Sequence, residues 1–359
     1  METHHRVITG DSRSLTTIDD DAVELVVTSP PYPMIEMWDD LFAELDPEVA
    51  DRLAEGDGRA AFDRMHDALD PVWKEVRRVL VDGGIACINV GDATRKIDGS
   101  FRVFQNHSRI ISAFESLGFE PLPEVLWRKP TNSGAKFMGS GMLPPNAYVT
   151  LEHEYILVFR NGKDRRQFEP GAKQRYDAAY FWEERNRWFS DVWADIRGEL
   201  QTLSRDELRE RSAAYPFEIP YRLINMYSVY GDTVLDPFWG TGTTSLAAMV
   251  AGRNSVGSER DPEFVRVFEE RTERVPTYSQ EVTKRRLADH LAFVSQQQAE
   301  GEEFGYTADH YDFPVTTKQE TSIQFYTVAD VQQTADGYRA VHEPVERIDG
   351  VERSDAPDS

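Results

Sequence analysis

The chain has 359 residues and a formal net charge of −23, with 63 acidic against 40 basic side chains. A single cysteine, Cys87, excludes an internal disulfide and a thiolate zinc cluster, and no metal site is expected. With no N-terminal apolar h-region and no apolar run of about eighteen residues, neither export nor a membrane span is expected, and a cytoplasmic location is the expectation.

In chain order, Val7-Ile8 reads as a short strand and Gly10-Asp11-Ser12 as the turn after it. Ala22 to Val27 is an apolar run that reads as a buried strand and stops at Thr28-Ser29-Pro30-Pro31-Tyr32. Neither proline donates a backbone hydrogen bond and each fixes φ, so the turn is stiff. A stiff turn at the carboxyl end of a buried strand is where open α/β sheets place ligands. Here it offers the Ser29 hydroxyl, the Pro30 carbonyl and the Tyr32 ring, which together suit a flat molecule with an amino group on its edge, such as a flipped-out nucleobase. A rigid turn that only caps a strand is the plain alternative.

Pro33 to Asp70 is acid-rich and predicts helices around Gly56-Asp57-Gly58, a solvated insertion near the mouth of the site. Pro71 to Leu80 carries apolar residues at helical spacing, and Gly84 to Val90 is an apolar strand around an inert, buried Cys87. A helix over His107–Leu117, a strand over Val125–Pro130 and a second strand over Glu152–Phe159 follow. His153 alone is no metal centre, because no second histidine stands at ligand spacing. Residues 163 to 213 mix Arg165, Arg166, Lys173 and Arg175 with tyrosines and tryptophans, a composition that suits groove and backbone contact or a satellite core.

Val234-Leu235-Asp236-Pro237-Phe238-Trp239-Gly240-Thr241-Gly242-Thr243-Thr244 is a second strand ending in a turn, here a glycine turn that opens a helix. Nineteen residues after Gly240, a strand over Ser255–Ser258 ends at Glu259, placed to accept hydrogen bonds from ribose hydroxyls. Ser245 stands where a dinucleotide fingerprint wants glycine, so the pair says only that the ligand contains adenosine. Beyond residue 276 a helix over Gln280–Gln298 and a strand pair, Ile323–Val328 with Gly337–Val341, are expected. That extension could brace a homodimer, cover the sheet edge or add DNA contacts.

Ser29-Pro30-Pro31-Tyr32 and Asp236-Pro237-Phe238-x-Gly240-x-Gly242-Thr243-Thr244 together resemble the amino-group DNA methyltransferases in their beta-type order, catalytic loop first. The resemblance spans roughly residues 6 to 275. It implies an α/β fold with a doubly wound, mostly parallel sheet, S-adenosyl-L-methionine as cofactor and double-stranded DNA as substrate. Ser29, Pro30, Pro31 and Tyr32 are then catalytic; Asp11, Asp236, Pro237, Phe238, Gly240, Gly242, Thr243, Thr244 and Glu259 bind the cofactor. Arg128, Lys129, Arg165, Arg166, Lys173 and Arg175 are the DNA contacts. Tyr215 replaces a histidine usual ahead of the cofactor strand. Serine at position 29 resembles the cytosine-N4 subgroup, and adenine N6 is the nearest rival. A DNA-binding protein without catalysis is a rival from another class. Stacking on Tyr32 predicts that phenylalanine there keeps most activity.

The acid excess looks wrong for a DNA binder, yet residues 127 to 175 carry nine basic and four acidic side chains. Eight lysines against 32 arginines on an acidic background resemble salt-loving archaeal proteins, and haloarchaeal orphan methylases in particular. The recognised bases stay open, with a palindromic CTAG site as one candidate, and so does any restriction endonuclease partner. Four regions are expected: 1–162, the first part of the catalytic domain; 163–213, target recognition; 214–276, its second part; and 277–359, an acidic extension.

Overall fold

The computed structural model of the chain describes residues 1–129, 143–145, 148–197 and 215–346. It opens with strands β1 (Glu2–Thr9) and β2 (Val23–Thr28), short helices α1 (Asp39–Leu45) and α2 (Glu48–Ala54), the long α3 (Gly58–Val79) and β3 (Leu80–Val90). A hairpin of β4 (Ala93–Ile97) and β5 (Ser100–Phe104), helix α4 (Asn106–Ser116), and strands β6 (Phe119–Arg128) and β7 (His153–Asn161) follow. Next come α5 (Lys173–Asp177), α6 (Trp182–Trp188), β8 (Val192–Trp193), α7 (Glu218–Tyr227), β9 (Thr233–Asp236), α8 (Thr243–Ala251), β10 (Asn254–Glu259) and α9 (Pro262–Thr272). The C-terminal part holds α10 (Val275–Ala299), the short β11 (Tyr306–Thr307) and β12 (Pro314–Val315), and the hairpin β13 (Tyr326–Thr334) with β14 (Gly337–Pro344).

Ten strands form one sheet in the order β13-β14-β1-β10-β9-β2-β3-β7-β6-β8. The block from β1 to β3 is parallel throughout, so Thr9, Glu259, Asp236, Thr28 and Val90 end along one edge. That edge is where a doubly wound sheet holds its ligand. The apolar runs are unbroken because both faces are covered. Leu25, Val27 and Cys87 pack with Leu223 and Ala247 on one face, while Val26, Ala86 and Ile88 pack with Leu69, Val72 and Phe114 on the other.

One element differs from the sequence expectation. Helix α3 starts at Gly58 and runs straight through Pro71. Met65, Leu69, Val72 and Val76 keep one buried stripe across the proline, and that burial outweighs an interruption worth about 3 kcal/mol. Of the roles open to the C-terminal extension, covering the sheet edge is the one the fold displays: β14 adds antiparallel to β1, Glu2 opposite Val341.

Candidate active site

The two turns meet because β2 and β9 are neighbours in the sheet. Asp236, buried at the end of β9, accepts hydrogen bonds from Thr28 Oγ1 (2.6 Å), Thr244 Oγ1 (2.6 Å) and the Phe238 amide (3.0 Å). Burial pushes its carboxyl up to about 6 against those three bonds. Its oxygens therefore tie the catalytic strand to the head of α8. Tyr215 donates to the same Thr244 hydroxyl at 2.6 Å, whose own proton goes to Asp236, a contact the missing histidine would not advertise in the sequence.

A cavity of about 750 Å³ opens over this junction. Asp11, Asp236, Pro237, Phe238, Gly240, Thr243 and Glu259 line it together with Ser29, Pro30 and Pro31, whereas Gly242, Thr244 and Tyr32 do not. Glu259 is held in the wall by the amides of Gly240 (2.8 Å) and Asp261 (2.9 Å), and burial pushes its carboxyl up. Asp11 is paired with Arg13 at 2.7 Å, whose hydrogen bond holds its carboxyl down. Sequence periodicity could not reveal the roof. Trp38, Leu41 and Leu45 of the acidic insertion line the cavity, with Glu44 paired to Arg260 at 2.6 Å and Asp39 gripped by Arg95 of the β4–β5 hairpin.

The two glycines of the turn divide the work. A Cβ on Gly240 would meet only the Phe238 carbonyl at 4.0 Å, so this is the position where backbone lies open to the cavity. A Cβ on Gly242 would lie 2.3 Å from Phe268 Cδ2 and 2.8 Å from Trp239, both buried. Gly242 is therefore required by packing, which corrects its assignment to close cofactor approach. Gly242→Ala should lower stability by about 2–3 kcal/mol in thermal unfolding. Gly240→Ala, at φ +53°, should cost about 1–2 kcal/mol and chiefly weaken cofactor binding in calorimetry. Equal stability losses with unchanged affinity would contradict this division.

From Ser29 in the cavity wall a chain of bonds runs inward: its Oγ lies 3.0 Å from Tyr32 Oη, and Tyr32 donates to Glu154 Oε2 at 2.9 Å. Asn89 Nδ2 donates to Tyr32 Oη and to Glu154 Oε2, each at 2.8 Å, and Lys129 Nζ sits 2.7 Å from Glu154 Oε1. One side of the Tyr32 ring rests on Gly91, where a Cβ would come within 3.2 Å of it. Asn89 and Glu154 were not singled out from the sequence. The available signal was position: β7 is antiparallel to β3, so its first residues lie at the carboxyl end of β3.

The same strand direction places the expected DNA contacts. Arg128 and Lys129 end β6 on the catalytic side, Arg128 loosely paired with Glu152 at 3.4 Å. Arg165 and Arg166 follow β7 to the opposite end, where a Cβ on Gly83 would meet their backbone within 2.8 Å. From Gly83 to Asn89 along β3 is roughly 20 Å at about 3.3 Å per residue. Arg166 makes a two-point pair with Asp232 (2.6 and 3.0 Å) ahead of β9. Lys173 pairs with Asp177, Gln174 bonds the Tyr230 carbonyl, and Arg175 lies over Phe168. These four cations stand at the amino ends of the strands and are not brought to the catalytic loops. Residues 198–214 of the expected recognition region lie outside the described residues.

The DNA methylase family of N6 and N4 methyltransferases matches residues 23–270. The type II methyltransferase M.MthZI of Methanothermobacter thermautotrophicus is 51% identical over 329 residues, covering 91% of each chain. M.MjaI of Methanocaldococcus jannaschii is 54% identical over 282 residues, covering 76% of this chain and 92% of its own. Among solved structures, a DNA modification methylase of Thermus thermophilus complexed with S-adenosyl-L-methionine has a TM-score of 0.57 at 35% identity over 74% of this chain and 92% of its own. The cytosine-N4-specific PvuII DNA methyltransferase, at 17% identity and a TM-score of 0.51, shares the fold over 74% of this chain and 86% of its own. An open glycine, a half-buried carboxylate at the end of the next strand and apolar walls give the cavity a lining that fits an adenosine sulfonium. The chain belongs to the N6/N4 DNA methylase family of S-adenosylmethionine-dependent methyltransferases.

Proposed function

We propose that this DNA methyltransferase methylates the N4 amino group of a cytosine flipped out of double-stranded DNA. The observation that carries the reading is Ser29, whose small hydroxyl lies in the cavity wall where the catalytic and cofactor turns meet. Bound S-adenosylmethionine supplies an electrophilic methyl group. The amine it must reach is a poor nucleophile, because its lone pair is conjugated with the ring. Hydrogen bonds to Ser29 Oγ and the Pro30 carbonyl draw the nitrogen toward tetrahedral geometry and aim the lone pair. That is positioning and electrostatic catalysis with no covalent intermediate. Flipping costs a few kcal/mol. Serine at position 29 supports cytosine over adenine, which stays the alternative. Transfer of labelled methyl groups to duplex DNA, absent with RNA of the same sequence, is the expected result; no transfer to DNA would overturn the reading.

For DNA contact the fold favours the catalytic edge. Arg128 and Lys129 stand there, and the hairpin that springs from the end of β3 exposes Lys96 and Arg102. Arg128→Ala should weaken DNA binding and reduce its salt slope by about one. Arg165→Ala and Arg175→Ala should leave both unchanged, and a weakened, flattened salt series in those two would return recognition to the 163–177 segment. The acidic surface supports a high-salt host as a further proposal: thermal stability should rise with added potassium chloride, since salt screens self-repulsion.

A further inference from the structure

We propose that Glu154 sets the direction of the hydrogen bonds at the catalytic loop, so that Ser29 meets the target amine as an acceptor and passes the released proton through Tyr32 to Glu154. This rests on the amino-group reading above and gives it a proton route.

The direction follows from what each group can donate. A carboxylate has no proton to give. Glu154 Oε1 is occupied by Lys129, and Oε2 receives Tyr32 and Asn89. The carboxylate fixes the Asn89 amide, because a carbonyl oxygen facing Oε2 at 2.8 Å would be repelled. With its one proton on Glu154, Tyr32 Oη can only accept, from Asn89 at 2.8 Å and from Ser29 at 3.0 Å. Burial beside Glu154 keeps the Tyr32 phenol well above its ordinary value, so the proton stays in place. The Ser29 proton therefore points inward; Asn89 Nδ2, at 3.5 Å, reaches one Ser29 lone pair weakly, which leaves the other for the cavity. That arrangement welcomes an N–H donor and rejects a base edge presenting a carbonyl oxygen, which separates an amino group from a keto group at the same site.

The bond that forms to nitrogen and the carbon–sulfur bond that breaks belong to methyl transfer itself. What the chain moves is the proton the methylated nitrogen must release. It passes to Ser29 Oγ as Ser29 gives its own proton to Tyr32 and Tyr32 gives its own to Glu154. One proton leaves the base, one arrives on Glu154, and both hydroxyls are restored. Ser29 touches the substrate; Tyr32, Asn89 and Glu154 are positioning residues. The Tyr32 hydroxyl thereby carries a function that stacking alone does not give it, and phenylalanine at position 32 should fail.

The test uses the full chain with Glu154→Gln and Tyr32→Phe. Single-turnover methyl transfer is measured at saturating S-adenosylmethionine and duplex DNA, beside the dissociation constants of both and the thermal midpoint. Each variant should lose roughly 10²-fold in rate, with both dissociation constants and the midpoint close to those of the unmodified chain. Rates within about threefold of the unmodified chain would overturn the relay while leaving the methyltransferase reading intact. A loss that comes with weakened binding or a lowered midpoint would also overturn it, as a structural effect. Failure of the unmodified chain to methylate DNA would count against the parent reading instead.

Discussion

Ser29→Ala should bind S-adenosylmethionine and duplex DNA as the unmodified chain does, yet lose about 10²–10³-fold in single-turnover methyl transfer. The loop does not depend on this hydroxyl for its shape. Two prolines stiffen it, and Thr28, one residue earlier, anchors it to Asp236 at 2.6 Å. What the hydroxyl offers is a hydrogen bond that strengthens as the amine leaves the plane of the ring, an interaction realised chiefly in the transition state. Removing it lowers the rate constant without lowering affinity. A variant that lost DNA affinity and kept its rate constant would turn Ser29 into a binding residue.

Arg286→Met should lower stability by about 3–5 kcal/mol. Arg286 lies buried on α10 and grips both oxygens of the buried Glu184 on α6, at 2.6 and 2.7 Å, beneath the rings of Trp188 and Phe325. Glu184 also accepts the Phe181 amide at 3.0 Å, so the pair closes the start of α6 as well. Without the guanidinium, a carboxylate is left in the interior with its charge uncompensated. Replacing both partners by methionine should recover most of the loss, because an apolar pair of similar volume needs no desolvation. Thermal unfolding of the two single variants and the double variant measures this directly. Near-additive losses would mean that the two side chains act apart. The pair makes the C-terminal residues a working part of the fold, together with the β14 strand that closes the sheet beyond β1.

Both ligand turns were legible in the sequence because their chemistry is local. Pro30-Pro31 stiffens one turn, Gly240 and Gly242 bend the other, and each follows a short apolar strand. Strand adjacency is a tertiary fact, however, and it brings Thr28 and Asp236 together across 208 residues of chain. The two glycines look alike in sequence, and only the positions of Phe268 and Trp239 tell packing from ligand approach. Charge counting found the basic stretch after Trp127 but not its geometry. The antiparallel β7 carries Arg165 and Arg166 away from the site and leaves Glu154, an acid in a segment read for its cations, beside it. The acidic insertion read as solvated helices near the mouth of the site, which did not say that Trp38, Leu41 and Leu45 would roof the cavity.

The product nucleoside tests the central claim most directly. Duplex DNA methylated by the purified chain would be digested to nucleosides and analysed by mass spectrometry. N4-methylcytosine is the expected product. N6-methyladenine would keep the amino-group chemistry and contradict the base. 5-Methylcytosine would contradict the mechanism itself, because it needs a thiolate attacking the ring, and Cys87 lies buried within β3 with burial pushing its thiol far up.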